Sequence, residues 1–350
     1  MLLIRSYFAS SILFLSSMVI VGGLMLSQPT FAKEIQEVNV YSYRAENLIK
    51  PLLDQFTQET GIKVNLVTGK ADALFQRLQA EGRHSPADLL LTTDAGRLYR
   101  AKEANLLQAI QSPLLEKRIP AHLRDADNQW FGLSYRARVI MYNKAKIDPK
   151  TLQHYNDLTK SSLKNKLCMR SSSNIYNQSL LASFIANQGA AKAEQWAKGI
   201  VMNLAHDPKG NDESQISGVA VGECDVTLAN TYYLGNWLSN SQTANLAQQV
   251  GVIFPEQDGR GTHINVSGAG ITRYAKNKTA ALKLLEYMVS DNAQHWYAEA
   301  NHEYPVVNGI EPSAIVKQWG YPFKTDTLPL SKLGELNAEA VRIFDRVGWQ

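Results

Sequence analysis

The chain has 350 residues, 36 lysines and arginines against 32 acids, and 45% hydrophobic residues. That length exceeds one typical hydrophobic core, so two lobes are expected. The formal charge of +4 is too mild for a nucleic-acid binder, and no basic tract interleaved with aromatics stands out.

The first stretch, "MLLIRSYFASSILFLSSMVIVGGLMLSQPTFAKE", places Arg5 ahead of an apolar run from Phe8 to Leu26 and small residues before Lys33. It reads as a secretory signal peptide, residues 1–32, cleaved after Ala32. An uncleaved membrane anchor is the competing reading, because the run approaches spanning length; Gly22, Gly23 and the serines argue against it. Residues 1–32 hold one arginine and no acid, so the mature chain keeps 35 basic against 32 acidic residues, a balance of +3.

After that segment, "EVNVYSY" alternates as a strand, and "ENLIKPLLDQFTQETG" is helical up to Gly61. "IKVNLVTG" is a strand, "ADALFQRLQAEG" a helix, "ADLLLTTD" a buried strand and "AGRLYRAKEANLL" a helix. This alternation implies an α/β fold with a parallel sheet covered on both faces. "FGLSYRARVIMYN" and "VGVIFPEQDGRGTHINV" are candidate crossovers between lobes; "NKLCMRSS" and "ECDVTLAN" are further strands. "QSLLASFIANQGAAKAEQWAKGIV" holds two helices around Gly189, and "KTAALKLLEYMVSDNAQHWYAEAN" is helical. Ligands of open parallel sheets sit at the carboxyl ends of strands. "YSYR" (41–44), "RSSSNIYNQ" (170–178) and "NTYY" (230–233) occupy such corners.

The two cysteines, Cys168 and Cys224, suggest one disulfide in an exported protein, against two buried free thiols. Cys168 precedes Tyr176 by eight residues and Cys224 precedes Tyr232 by eight, so a bridge would hold two loop bases together. The adjacent Tyr232 and Tyr233 alone read as half core, half surface; they gain meaning if other segments aim at the same place. The seven histidines lack metal-ligand spacing and are expected at the surface or in caps; Asp88 and Asp94 are expected to cap the next helix. "VSGAG" (266–270) reads as a tight glycine corner without a nucleophile-elbow pattern, and no phosphate-cradling loop or nucleophile–base set points to an enzyme.

The run of "VNVYSYR", "TGIKV", "ADLLLTTD", "RARVI", "CMRSSSNIYNQSL", "GECDVTLANTYYLGN" and "NHEYPV" resembles the periplasmic iron(III)-binding proteins of bacterial ABC importers, over essentially the whole mature chain. The resemblance implies a bilobal α/β periplasmic-binding-protein fold that closes on Fe(III). The lobes would be 33–130 plus 260–310, and 131–259 plus 311–350. It implies metal ligation by Tyr176, Tyr232 and Tyr233, with both adjacent phenols at an irregular strand end. "YSYRAEN" has no histidine, so the resemblance implies a synergistic anion, carbonate being the usual candidate, held by Arg44 and Arg138 with help from Ser173 and Asn174. Tyr43 is kept as a further ligand candidate. Arg136 and Arg138 are expected to divide, one inward and one solvated, with Arg138 in the cleft. The implied protein is a monomeric, periplasmic carrier that delivers iron to an inner-membrane ABC permease. Carriage of another anion, a polyamine or a vitamin is the alternative, and an enzyme on the same fold ranks below it.

Overall fold

A computed structural model describes residues 36–350. The expected signal peptide lies outside the described residues. Among the described residues, no helix is long and apolar enough to cross a membrane.

The first sheet is built from β1 (Glu37–Ser42), α1 (Lys50–Thr60), β2 (Lys63–Thr68), α2 (Ala71–Glu81), β3 (Leu89–Thr93) and α3 (Ala95–Glu103). Pro51 sits in the first turn of α1, where its missing N–H costs nothing, and Gly61 ends the helix at φ 72°. Leu52, Leu53 and Phe56 turn inward from that helix. β1 pairs in parallel with β2 and with β3, Val40 lying beside both Leu66 and Leu89. The run of leucines in β3 is buried because helices cover both faces. α4 (Pro113–Arg118) then leads to β4 (Phe131–Asn143), the longest strand at 13 residues.

The second half adds β5 (Leu167–Cys168), α5 (Ile175–Gln188), α6 (Ala190–Met202), α7 (Asp212–Val221), β6 (Val226–Asn230), α8 (Thr231–Ser239), α9 (Ala244–Ala247), β7 (Val250–Ile253) and β8 (Ile264–Ile271). The chain closes with α10 (Lys278–Met288), α11 (Asp291–Asn301), β9 (Tyr304–Pro305), α12 (Ala314–Lys317), α13 (Ser331–Glu335) and α14 (Asn337–Val347). Gly189 separates α5 from α6 as expected, at φ 85°. The last long helical pattern is two helices: Ser290 breaks it and caps α11 by accepting from the Ala293 N–H.

The sheet is mixed, not wholly parallel. β3–β8 and β8–β4 are antiparallel, whereas β5–β6 is parallel. β4 serves two sheets. Its first part pairs with β8 (Phe131 beside Ala269, Ala137 beside Ile264) and its last part with β6 (Arg138 beside Asn230). Length is the reason: a strand of this reach can cross from one lobe to the other. "VSGAG" is no corner. Gly268 and Gly270 lie within β8, where a Cβ would stand 2.6 Å from the Phe131 carbonyl and 2.5 Å from that of Gln129. The glycines permit backbone approach rather than a turn.

One core runs from β1 and β3 through Trp130 and β8; a second gathers Leu181, Trp196, Val226 and Phe344. The C-terminal segment touches both. Leu333 of α13 joins the first core, while Ile343 and Trp349 join the second.

Candidate functional site

A cavity of about 410 Å³ opens where the ends of β1, β2 and β3 face the N-termini of α5 and α8. Tyr43, Arg44, Thr68 and Thr93 come from the strand ends, and Glu303 comes from the turn before β9. Opposite stand Tyr176, Tyr232 and Tyr233. The carboxyl-end rule for strands thus locates the cleft.

Tyr176 is the second residue of α5, and the Asn174 side chain caps that helix by accepting from the Tyr176 N–H at 3.0 Å. Asn174 therefore fixes the turn that carries Tyr176. Ser173 is exposed and its hydroxyl meets Ser171 at 2.9 Å. Tyr232 and Tyr233 stand in the first turn of α8, which follows β6 without a loop. The pair is thus helical and not at an irregular strand end. Its rings lie 4.2 Å apart at 32°, so the two phenols lean together although successive helical residues diverge by about 100°. Both phenols titrate above the ordinary tyrosine range. For Tyr232 burial is the main cause, followed by the nearby Tyr176 and Tyr233; for Tyr233 it is burial, then Tyr176 and Asp212. Both are neutral at neutral pH, and a bound cation must displace their protons.

The disulfide joins Cys168 to Cys224 with a Cα–Cα distance of 5.7 Å. It ties the end of β5, which feeds the turn before Tyr176, to the turn before β6, which feeds Tyr232 and Tyr233.

Arg44 is buried at the cavity wall. Its Nη1 donates to Glu303 at 3.0 Å and to Ser267 at 2.7 Å. Burial disfavours its charge, and Glu303, with Tyr297 and Tyr232, more than offsets that, so its pKa is raised. Tyr43 also lines the cavity, with the Arg97 guanidinium 4.5 Å from its ring centroid.

Arg138, expected in the cleft, lies behind Tyr176, 6.0 Å from the ring centroid. Its guanidinium donates to Asn177 at 2.7 Å and to Asp212 at 3.4 Å. Arg136 is also buried, against the expectation that one of the two would be solvated. Residues two apart on a strand share a face. Arg136 is the one that the expectation left to solvent. Its Nη1 donates to Ser267 at 3.1 Å, its Nε and Nη2 have no partner among the described residues, and it stands 5.5 Å from the Tyr176 ring centroid. The period-two spacing of "RAR" was the available signal. Arg170 completes the group at 5.6 Å from the same ring.

Two other expectations need correction. His263 is buried beside arginines, and burial first, then Arg260, Arg138 and Arg136, hold its pKa well below normal. It is neither a surface nor a capping residue; His302 does end α11, though buried. Asp94 caps α3 as expected, accepting from the Gly96 N–H at 2.8 Å. Asp88 instead accepts from the N–H groups of Asn39 at 2.9 Å and Asn277 at 2.8 Å, tying β1 to the start of α10.

Residues 41–295 match the model of the bacterial extracellular solute-binding proteins. The chain belongs to that family. It is 49% identical over 319 residues to iron uptake protein A1 of Synechocystis, covering 91% of this chain and 88% of the relative. It is 27% identical over 299 residues to the major ferric iron-binding protein of Neisseria meningitidis, covering 82% and 85%. Among solved structures, the Trichodesmium IdiA/FutA protein in complex with iron and citrate superposes with a TM-score of 0.86 at 50% identity, covering 90% of this chain and 100% of that one. The solute-binding-protein fold of these relatives is the bilobal α/β architecture described above.

Proposed function

We propose that this chain is an exported carrier that captures Fe(III) in the cleft and delivers it to an ABC permease of the inner membrane. The observation that carries the reading is the convergence of Tyr176, Tyr232 and Tyr233 on one cavity, backed by excess guanidinium charge. Ferric iron is a hard cation that favours anionic oxygen donors over sulfur. Three phenolates cancel its charge, and the same three give Fe(II) a surplus of negative charge. The iron-binding relatives support the same cargo.

The charge around Tyr176 supports an accompanying anion. Arg136, Arg138 and Arg170 surround the ring, and Asp212 is the carboxylate that pairs with the last two. Two positive charges remain over, enough for a dianion. Arg136 is our first choice for its contact, because a guanidinium with free nitrogens suits a planar oxyanion. Arg44 would face the anion from the other wall, and Tyr43 is the ligand candidate there. Carbonate is the small candidate; the Trichodesmium relative holds iron with citrate. We assign Arg138, with Asn174, to holding Tyr176 in place, and give Ser173 no contact of its own.

The lobes we assign are 33–130 with 260–310 and 131–259 with 311–350, hinged on β4 and on the segment between β7 and β8. We assign the chain to the periplasm, as a monomer.

Titration of the mature protein with ferric citrate tests the reading. The expected result is a visible phenolate-to-iron charge-transfer band that saturates at one iron per chain. A colourless protein at saturation overturns it.

A further inference from the structure

Asp212 stands apart from the phenols, yet it organises the charge around one of them. It is the first residue of α7, fully buried, on a helix capped by Asn211. The N-terminal end of a helix favours an ionised carboxylate. One oxygen accepts from Arg138 at 3.4 Å and the other from Arg170 at 3.2 Å. Both guanidiniums are thereby held against Tyr176, with Asn177 bracing the pair by accepting from Arg138 at 2.7 Å and donating to the Arg170 carbonyl at 3.0 Å. Without the carboxylate, three guanidiniums would face the phenols uncompensated. With it, the positive charge falls by one third. A wall of higher positive charge holds the accompanying anion more tightly, and with it the ferric ion.

We propose that Asp212 is a positioning residue that limits the affinity of the cleft: it fixes Arg138 and Arg170 against Tyr176 while removing one positive charge from that wall, and so keeps the cargo releasable. The inference rests on the iron-binding reading above. A carrier that must surrender its ion to a permease gains from such a limit.

The test compares Asp212→Asn, Arg170→Gln and the double variant by three readouts: iron affinity in competition with citrate, position of the visible band, and melting temperature of the iron-free protein. Asp212→Asn is expected to bind iron roughly tenfold more tightly, the effect of one nearby unit charge, with the band shifted to the blue. Its iron-free form is expected to melt lower, because a buried charge has lost its partner. Arg170→Gln is expected to bind roughly tenfold more weakly, with the double variant between the two. A residue with only a structural role would lower affinity and melting temperature together, so that outcome for Asp212→Asn overturns the proposal. Should Asp212→Asn not fold, Arg170→Gln decides alone: weaker binding with a shifted band supports the proposal, and unchanged or tighter binding overturns it. A wild-type protein without a visible band would instead defeat the iron reading itself.

Discussion

The two walls of the cleft carry opposite kinds of electrostatics. On the wall built from β1, β2 and β3, Arg44 is matched by Glu303 at 3.0 Å and Tyr43 carries the Arg97 guanidinium 4.5 Å from its ring centroid. On the other, three phenols share space with three guanidiniums and one carboxylate. One wall already pairs its buried guanidinium with a carboxylate. The other is an unfinished charge arrangement, including a buried Arg136 with two unpartnered nitrogens. Buried donors left unpaired are costly, and such a cost is retained where a ligand completes the set. The difference supports the proposal that capture belongs to the second wall.

The sharpest way to break this comparison is to exchange phenols for phenyl rings on each wall. Tyr232→Phe or Tyr176→Phe keeps the packing and removes only the donor oxygen. Iron affinity should fall by more than the ~10–100-fold typical of changes outside the coordination sphere, and the visible band should shift or vanish. Tyr43→Phe on the first wall should cost less in the same competition against citrate. Equal losses would mean that the walls share the ion.

The disulfide braces the second wall. Cys168→Ser with Cys224→Ser opens a link spanning 56 residues, which the chain-entropy account values at about 4 kcal/mol of unfolding free energy. Urea unfolding should show that loss, with iron affinity reduced in the folded protein. Retained stability would remove the brace from the account.

Arg136 separates function from stability. Arg136→Met fills similar space and removes a buried charge that has unpartnered nitrogens, so the melting temperature of the iron-free protein should hold or rise. Iron affinity should nonetheless fall by ~10–100-fold, and added bicarbonate should affect the variant less than the wild type. Intact affinity would show that the anion does not sit there.

Acid should release the ion. The Tyr232 and Tyr233 phenols are held protonated in the iron-free protein, so protons compete with iron and affinity should rise with pH. Each displaced proton contributes at most about tenfold per pH unit. Affinity that does not vary with pH would mean that the phenols stay neutral when iron binds.

Much of this was legible in the sequence, because local signals and tertiary structure agree there. The alternation of strands and helices up to α3, the break at Gly189, the Asp94 cap and the joining of Cys168 to Cys224 follow from periodicity, turn chemistry and cysteine count. What misled was long-range. Nothing in "VSGAG" distinguishes a tight corner from a strand whose glycines meet the carbonyls of Phe131 and Gln129, since the neighbour lies over a hundred positions away. Strand direction in β8 and the burial of His263 depend likewise on partners that the local pattern does not name. The burial of Arg136 was a different matter: a period of two places both arginines of "RAR" on one face, so neither is left to solvent. Asp212, at the start of an ordinary capped helix, carried no sign of its neighbours at all.

The most direct measurement is resonance Raman spectroscopy of the iron-loaded protein, excited within its visible band. Enhanced tyrosinate ring vibrations are expected, weakened in Tyr176→Phe and in Tyr232→Phe. Iron bound without tyrosinate enhancement, or with the same spectrum in both variants, would contradict capture by the phenol wall.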